Sequence, residues 1–185
     1  MITSRFLTCL ENFTWLPSND GQPYHDDPND PGGATSWGVT YTTYCSWLLN
    51  NNLPAIDLTQ FASLPNTAFI PVYQNAFWDA VDANQLSIGL DLLVFDCSVV
   101  TGVSTAVRIL QDCLRITADG ILGPQTRRAI TENANSINLE DYVMRQKTYF
   151  ASCVDYPLYG RGWFRRVNDA LTQAITDQTT ASKTV

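Results

Sequence analysis

Residues Leu86 to Val100 are apolar enough to form a helix buried on most sides, and that run constrains the fold more than anything else in the chain. It is too short to span a bilayer, which takes about 20 apolar residues. It therefore reads as the central helix of a helical core. Apolar residues at helical spacing flank it on both sides. Ile2, Phe6, Cys9, Leu10 and Phe13 predict an opening helix that carries Glu11 near its C-terminal end, off the centre of the apolar stripe. Tyr41, Tyr44, Cys45, Leu48 and Leu49 predict a second helix. A third is expected over Thr67 to Val81, with Pro71 in its first turn or kinking it.

Beyond the central run, Val103, Val107, Leu110 and Leu114 mark another helix, ended by Asp119-Gly120, and Gly123-Pro124 opens a short one. Two more are expected over about Leu139 to Val154 and Phe164 to Thr176, with a polar tail from Asp177 that frays. Between Pro17 and Gly38 the composition turns to Pro, Gly, Asn and Asp. That density of turn formers excludes a helix and leaves an extended loop with a short hairpin around Ala34 to Thr40. The class is mainly α, with a small loop and β-hairpin element near residues 30–40.

At 185 residues and 45% apolar content, the chain can bury the core of one ordinary domain or two small units, and a disordered protein is excluded. A formal charge of −7 argues against nucleic acid or anionic lipid as a partner, since both demand a broad basic surface. Arg127, Arg128, Arg145, Lys147, Arg161, Arg165 and Arg166 nonetheless gather in the C-terminal third, as a solvated helical surface or as a contact face for an anionic polymer. No membrane insertion is expected. The N-terminus has no signal-peptide pattern, so a cytoplasmic origin is expected. Cys9, Cys45, Cys97, Cys113 and Cys153 are widely spaced and odd in number, which favours buried free thiols over disulfides, and with only His25 beside them a zinc site is weaker still.

Cleaving a glycosidic bond takes a carboxylic acid to protonate the leaving oxygen and, usually, a second carboxylate to activate water or stabilise the transition state. Glu11 supplies the first. The loop behind it carries Asp26, Asp27 and Asp30 before Pro31-Gly32-Gly33-Ala34-Thr35-Ser36-Trp37-Gly38. If the loop folds back beneath the first helix, its glycines allow a tight turn, and an Asp and Thr35 can face Glu11 across a groove. On spacing alone the signal is weak: a lone helical Glu is usually a solvated charge, and an Asp-Pro-Gly-Gly run is usually a turn. His25 reads as a loop residue without catalytic duty, and the aspartates do not reproduce a calcium loop.

Glu11 followed by Asp27-Pro28-Asn29-Asp30-Pro31-Gly32-Gly33-Ala34-Thr35-Ser36-Trp37-Gly38-Val39-Thr40 resembles the signature of glycoside hydrolase family 108, the phage and bacterial N-acetylmuramidases. Phe95-Asp96, Gly102, Ala106 to Gln111, Asp119 to Thr126, Arg145, Tyr149-Phe150 and Gly162 to Val167 resemble the helical peptidoglycan-binding module that follows that catalytic region. The resemblance implies a lysozyme-like helical fold, with a catalytic region over 1–90, a peptidoglycan-binding-like region over 91–177 packed into one compact unit with it, and a frayed tail over 178–185. It implies Glu11 as general acid, Asp30 ahead of Asp27 as the second carboxylate, and Thr35 as the group that positions water. Trp37, Gly33, Tyr41 and Trp163 are the candidates for touching substrate.

One departure stands out. Asn12-Phe13-Thr14 replaces the family's Gly-Gly-Tyr after the glutamate, and about ten extra residues, Trp15 to Tyr24, precede the Asp-Pro motif. The rim of the groove must differ accordingly. A proton donor working near neutral pH also needs apolar cover, for which Phe13, Trp15 and Trp37 are the nearby residues. The activity implied is hydrolysis of the β-1,4 bond between N-acetylmuramic acid and N-acetylglucosamine, without cofactor or metal. Peptidoglycan is the partner, and delivery to the wall runs through a holin, a virion or a secretion apparatus. Two rivals are a catalytically silent peptidoglycan-binding or structural virion protein, and a lytic transglycosylase.

Overall fold

The structure is a computed structural model that describes residues 3–13, 23–27, 32–133 and 136–183, with only the backbone of Asn12 and Phe13. Its chain divides into two compact units, Met1–Ala76 and Phe77–Val185. Among the described residues the protein is mainly helical, with one small three-stranded antiparallel sheet.

In the first unit, α1 (Ser4–Phe13) starts where the Thr3 hydroxyl accepts a hydrogen bond from the Phe6 N–H, 3.2 Å, and it buries the stripe Phe6, Cys9 and Leu10. The sheet joins β1 (Tyr24–His25), β2 (Thr35–Ser36) and β3 (Val39–Thr40) in that order. The composition of this stretch predicted the second hairpin, while a two-residue strand such as β1 has no period to read. Between β2 and β3 the turn is Trp37-Gly38, with φ of 48° and 79°. Two positive φ values give the turn whose twist matches the strands it joins. Tyr24, Ser36 and Val39 are register partners and share a face, with Ser36 and Val39 buried. His25, Thr35 and Thr40 share the other.

Thr40 then caps α2 (Tyr41–Asn50) by accepting the Thr43 N–H, 3.2 Å. Tyr44 and Leu48 are buried as expected, but Leu49 is 77% exposed. A short helix unread in the sequence, α3 (Leu58–Ala62), opens on a capping box between Asp57 and Gln60. It delivers Phe61, fully buried, into a cluster with Tyr24, Tyr41, Tyr44 and Phe69, ring centroids 5.3–6.5 Å apart. Strand, helix and loop are thereby pinned to one ring.

The helix expected over Thr67 to Val81 is not regular. It runs as a 3₁₀ turn (Asn66–Phe69), a single α turn, α4 (Ile70–Val72), a π segment (Tyr73–Trp78) and another 3₁₀ turn (Asp79–Val81). Pro71 lacks the N–H that would bond back into an α ladder, and the chain adjusts around it.

In the second unit, α5 (Leu90–Thr101) is buried without a break from Leu90 to Ser98, and α6 (Val103–Cys113), α8 (Leu139–Ser152) and α9 (Tyr156–Lys183) pack on it. Its two carboxylates are answered. Asp91 accepts the N–H groups of Gly89 and Leu92, and Asp96 is held by Nε and one terminal nitrogen of the Arg166 guanidinium at 2.6–3.2 Å. Gly102, with φ 87°, separates α5 from α6. Pro124 opens α7 (Pro124–Asn133) as its sequence predicts. The loop before it is organised by the buried Gln111 amide, which bonds Asp119, Ile121 and Thr126 and accepts the Gly120 N–H. Hydrogen bonds from the Ile121 N–H and Gln111 hold the Asp119 carboxyl below its ordinary range.

All five cysteines are free thiols, but only Cys9 and Cys97 are buried; Cys45, Cys113 and Cys153 are half-buried because each lies toward the edge of its apolar stripe or at a helix end. No described helix is long and apolar enough to cross a membrane.

Candidate active site

Glu11 stands in the last turn of α1 with its side chain exposed. Of the aromatics expected to cover it, Trp15 and the Phe13 side chain lie outside the described residues, as does Asp30. Asp27 is half-buried and follows β1 by two residues. Because His25 pairs with Thr35, Asp27, Gly33 and Thr35 come to the same end of the β1–β2 hairpin. Gly33 has φ 67°, and a Cβ built there would meet nothing within 4 Å, so its role is conformational. The Thr35 hydroxyl donates to the Gly33 carbonyl, 3.2 Å, which orients it along the strand end.

Trp37 sits at the other end of β2 in a left-handed conformation that bulky residues seldom adopt. Two contacts hold its backbone there. Its N–H donates to the Pro23 carbonyl, 2.7 Å, and its carbonyl accepts the Tyr73 hydroxyl, 2.8 Å. Thus the π segment anchors the turn. Tyr41 is turned inward: its hydroxyl donates to the Ile56 carbonyl, 2.7 Å, and its ring meets Phe61 edge-on. Trp163 belongs to the second unit, stacked on Phe150 at 5.0 Å with Tyr159 beside it at 6.0 Å.

The sheet's outer row leads to a feature missed in the sequence. From His25 and Thr35 it reaches Thr40, whose hydroxyl donates to that of Thr43, 2.9 Å, and Thr43 borders a cavity of about 330 Å³ along α2. Trp47, Asn50, Ser46 and Asn75 line it further, and the Trp47 indole N–H is fixed on the Asn75 side-chain oxygen at 3.2 Å. The lining holds hydroxyls, amides and one indole, and no charge. Hydroxyl and amide groups exchange hydrogen bonds with sugar hydroxyls, and an indole supplies an apolar face with a wet edge. A readable signal existed: α2 has no charged residue at all, so its solvent side is a row of neutral polar groups.

Helical architecture, a small sheet whose hairpin end gathers Asp27 and Thr35, and an uncharged cavity along α2 are consistent with a lysozyme-like helical fold. Residues 13–102 match the family Glycosyl hydrolase 108, and residues 105–168 match the family Predicted Peptidoglycan domain. The chain thus carries a glycosyl hydrolase family 108 region followed by a predicted peptidoglycan domain. Among solved structures it is similar to "Structure of Brucella abortus SagA", with a TM-score of 0.79 and 24% identity over 94% of this chain and 95% of that one. No curated protein matches the chain. It is therefore a glycoside hydrolase with peptidoglycan as its partner. The family match begins two residues after Glu11, so the glutamate stands just outside the matched stretch.

Proposed function

We propose that this hydrolase is an N-acetylmuramidase, cutting the β-1,4 bond between N-acetylmuramic acid and N-acetylglucosamine. The observation that carries this reading is the convergence of Asp27, Gly33 and Thr35 at one hairpin end, inside the hydrolase region and in the unit whose first helix presents Glu11. Glu11 gives its proton to the glycosidic oxygen as the bond to the anomeric carbon breaks. Water, positioned by the Thr35 hydroxyl, adds to that carbon and loses a proton to Asp30 or Asp27. With carboxylates ~6.5–9.5 Å apart, water enters from the opposite face and configuration inverts. Since Glu11 is exposed in the free protein, the bound glycan itself excludes water from it. The neutral cavity along α2 suits an uncharged sugar of the strand.

Turbidity clearance of purified peptidoglycan, with reducing-end release measured in the same samples, tests the reading against Glu11→Gln. The wild type should clear the suspension and release reducing ends; the variant should bind the wall and lose turnover by a factor of at least about 100, because an amide delivers no proton. Clearance by both removes Glu11 from the role. If neither turns over yet both sediment with the wall, the protein is a silent binding module. Products lighter by one water identify a lytic transglycosylase instead.

A further inference from the structure

A further cavity lies within the second unit. It encloses about 550 Å³ where the end of α6, the end of α7 and the first turns of α8 meet, a volume that suits a ligand of several residues. Arg115 and Arg145 line it, together with Asp141, Asn133, Ser136 and Cys113.

Arg115 occupies an unexpected position. α6 ends in a Schellman motif: the Ile116 N–H bonds the Gln111 carbonyl at 3.1 Å and the Arg115 N–H bonds the Asp112 carbonyl at 3.2 Å. The residue between these bonds must be left-handed, and Arg115 is, with φ 57°. Glycine or asparagine fits there without strain, so an arginine is held against its backbone preference. Its guanidinium makes no hydrogen bond or ion pair among the described residues. Arg145, also in the lining, pairs with Asp141 through Nε, 3.1 Å, and its two terminal NH₂ groups make no hydrogen bond among the described residues. Cys113 is a neutral thiol, pushed up to about 12 by burial, so it brings no negative charge. Among the lining side chains two guanidiniums stand against one carboxylate. A forked guanidinium matches a carboxylate geometrically, and amide and hydroxyl groups beside it bond peptide groups.

All of these residues fall inside the stretch matching the predicted peptidoglycan domain. Peptidoglycan carries its free carboxylates on peptide stems, not on the sugar backbone of the strand. We infer that this cavity is a binding site for a carboxylate-ended stem peptide, read by Arg115 and Arg145, so that the second unit holds the peptide while the first engages the glycan. The inference rests on the peptidoglycan reading above but not on Glu11 or on the bond cleaved.

The probe is a synthetic tetrapeptide stem with free carboxylates, titrated calorimetrically into the full-length protein beside the same peptide with every carboxyl amidated. The free peptide should bind, amidation should weaken binding by about tenfold or more, Arg115→Gln and Arg145→Gln should each do likewise, and the double variant should bind nothing measurable. Glu11→Gln should bind the peptide as the wild type does. Arg145→Lys, which keeps charge but not the fork, should fall between wild type and Arg145→Gln. Thermal unfolding at an unchanged temperature shows that each variant is folded. No heat up to about 10 mM peptide, equal binding of the amidated peptide, or undiminished binding by the folded double variant overturns the site. The peptide has no glycosidic bond, so its binding is decided separately from turnover.

Discussion

At the residue scale, Trp37 shows backbone preference overridden locally. Its left-handed φ costs on the order of 1 kcal/mol or more for a side chain of that size, while Asn or Gly would take the first position of such a turn freely. Both contacts that hold it, to the Pro23 carbonyl and the Tyr73 hydroxyl, use backbone atoms that any residue has. Trp37→Asn should keep unfolding free energy within about 1 kcal/mol of wild type, strain relief offsetting lost side-chain contact, while turnover on peptidoglycan falls several-fold. Denaturant unfolding beside turnover checks this. A loss above about 3 kcal/mol would make Trp37 a packing residue, since that is the scale of truncating a core aromatic.

At the element scale, the buried Asp96 and Arg166 join α5 to α9 across 70 positions of sequence. Asp96 is almost wholly buried and Arg166 about a third exposed, at 31%. Arg166→Met leaves a buried carboxylate without its cation and should destabilise the protein by about 3 kcal/mol, the low end for such a pair because Arg166 is partly wet. Adding Asp96→Leu should restore much of that loss, as an apolar pair of similar volume has no charge to desolvate. Denaturant midpoints for the two variants check both steps. The same pair illustrates what could be read in advance. Phe95-Asp96 and the Arg165-Arg166 run stood out as motifs, but only packing shows that one answers the other. Long periodic helices such as α1, α6, α7 and α8 were legible because period and terminators agree. α3 was not, since five residues show no period, though Asp57 three before Gln60 was a usable start signal. α9 begins at Tyr156 and runs to Lys183, well beyond Phe164 to Thr176. Near its start Gly160 lies directly beneath the Tyr156 ring, where a side chain has no room. In the polar stretch expected to fray, Thr179, Thr180 and Ser182 hydroxyls bond carbonyls one turn back and the helix continues. The candidate site was half legible. Motif residues Asp27, Gly33 and Thr35 were nominated by the family resemblance and the hairpin brings them to one end, whereas the cavity along α2 depends on Asn75 arriving from a distant segment.

At the scale of the whole molecule, charge is unevenly divided. Residues 1–76 hold one basic residue, Arg5, and six acidic ones, whereas residues 77–185 hold ten basic and twelve acidic. The hydrolase region is thus strongly anionic for its size, and its polymer partner carries carboxylates as well. Like charges slow encounter, and the effect fades as ions screen it, with a Debye length of about 30 Å at 0.01 M and about 8 Å at 0.15 M. Turnover on insoluble peptidoglycan at limiting substrate should therefore rise several-fold between those ionic strengths, opposite to an enzyme steered by a basic face. The Arg115 and Arg145 cavity acts in the other sense, since salt weakens its hold on carboxylates. Removing both guanidiniums should make the rise with salt steeper, because only the repulsion is then left to screen. Initial rates across that salt range for wild type and the double variant separate the two contributions. A rate that falls with salt in both proteins would show that other cations of the second unit, Arg161 and Arg165 among them, govern capture of the wall.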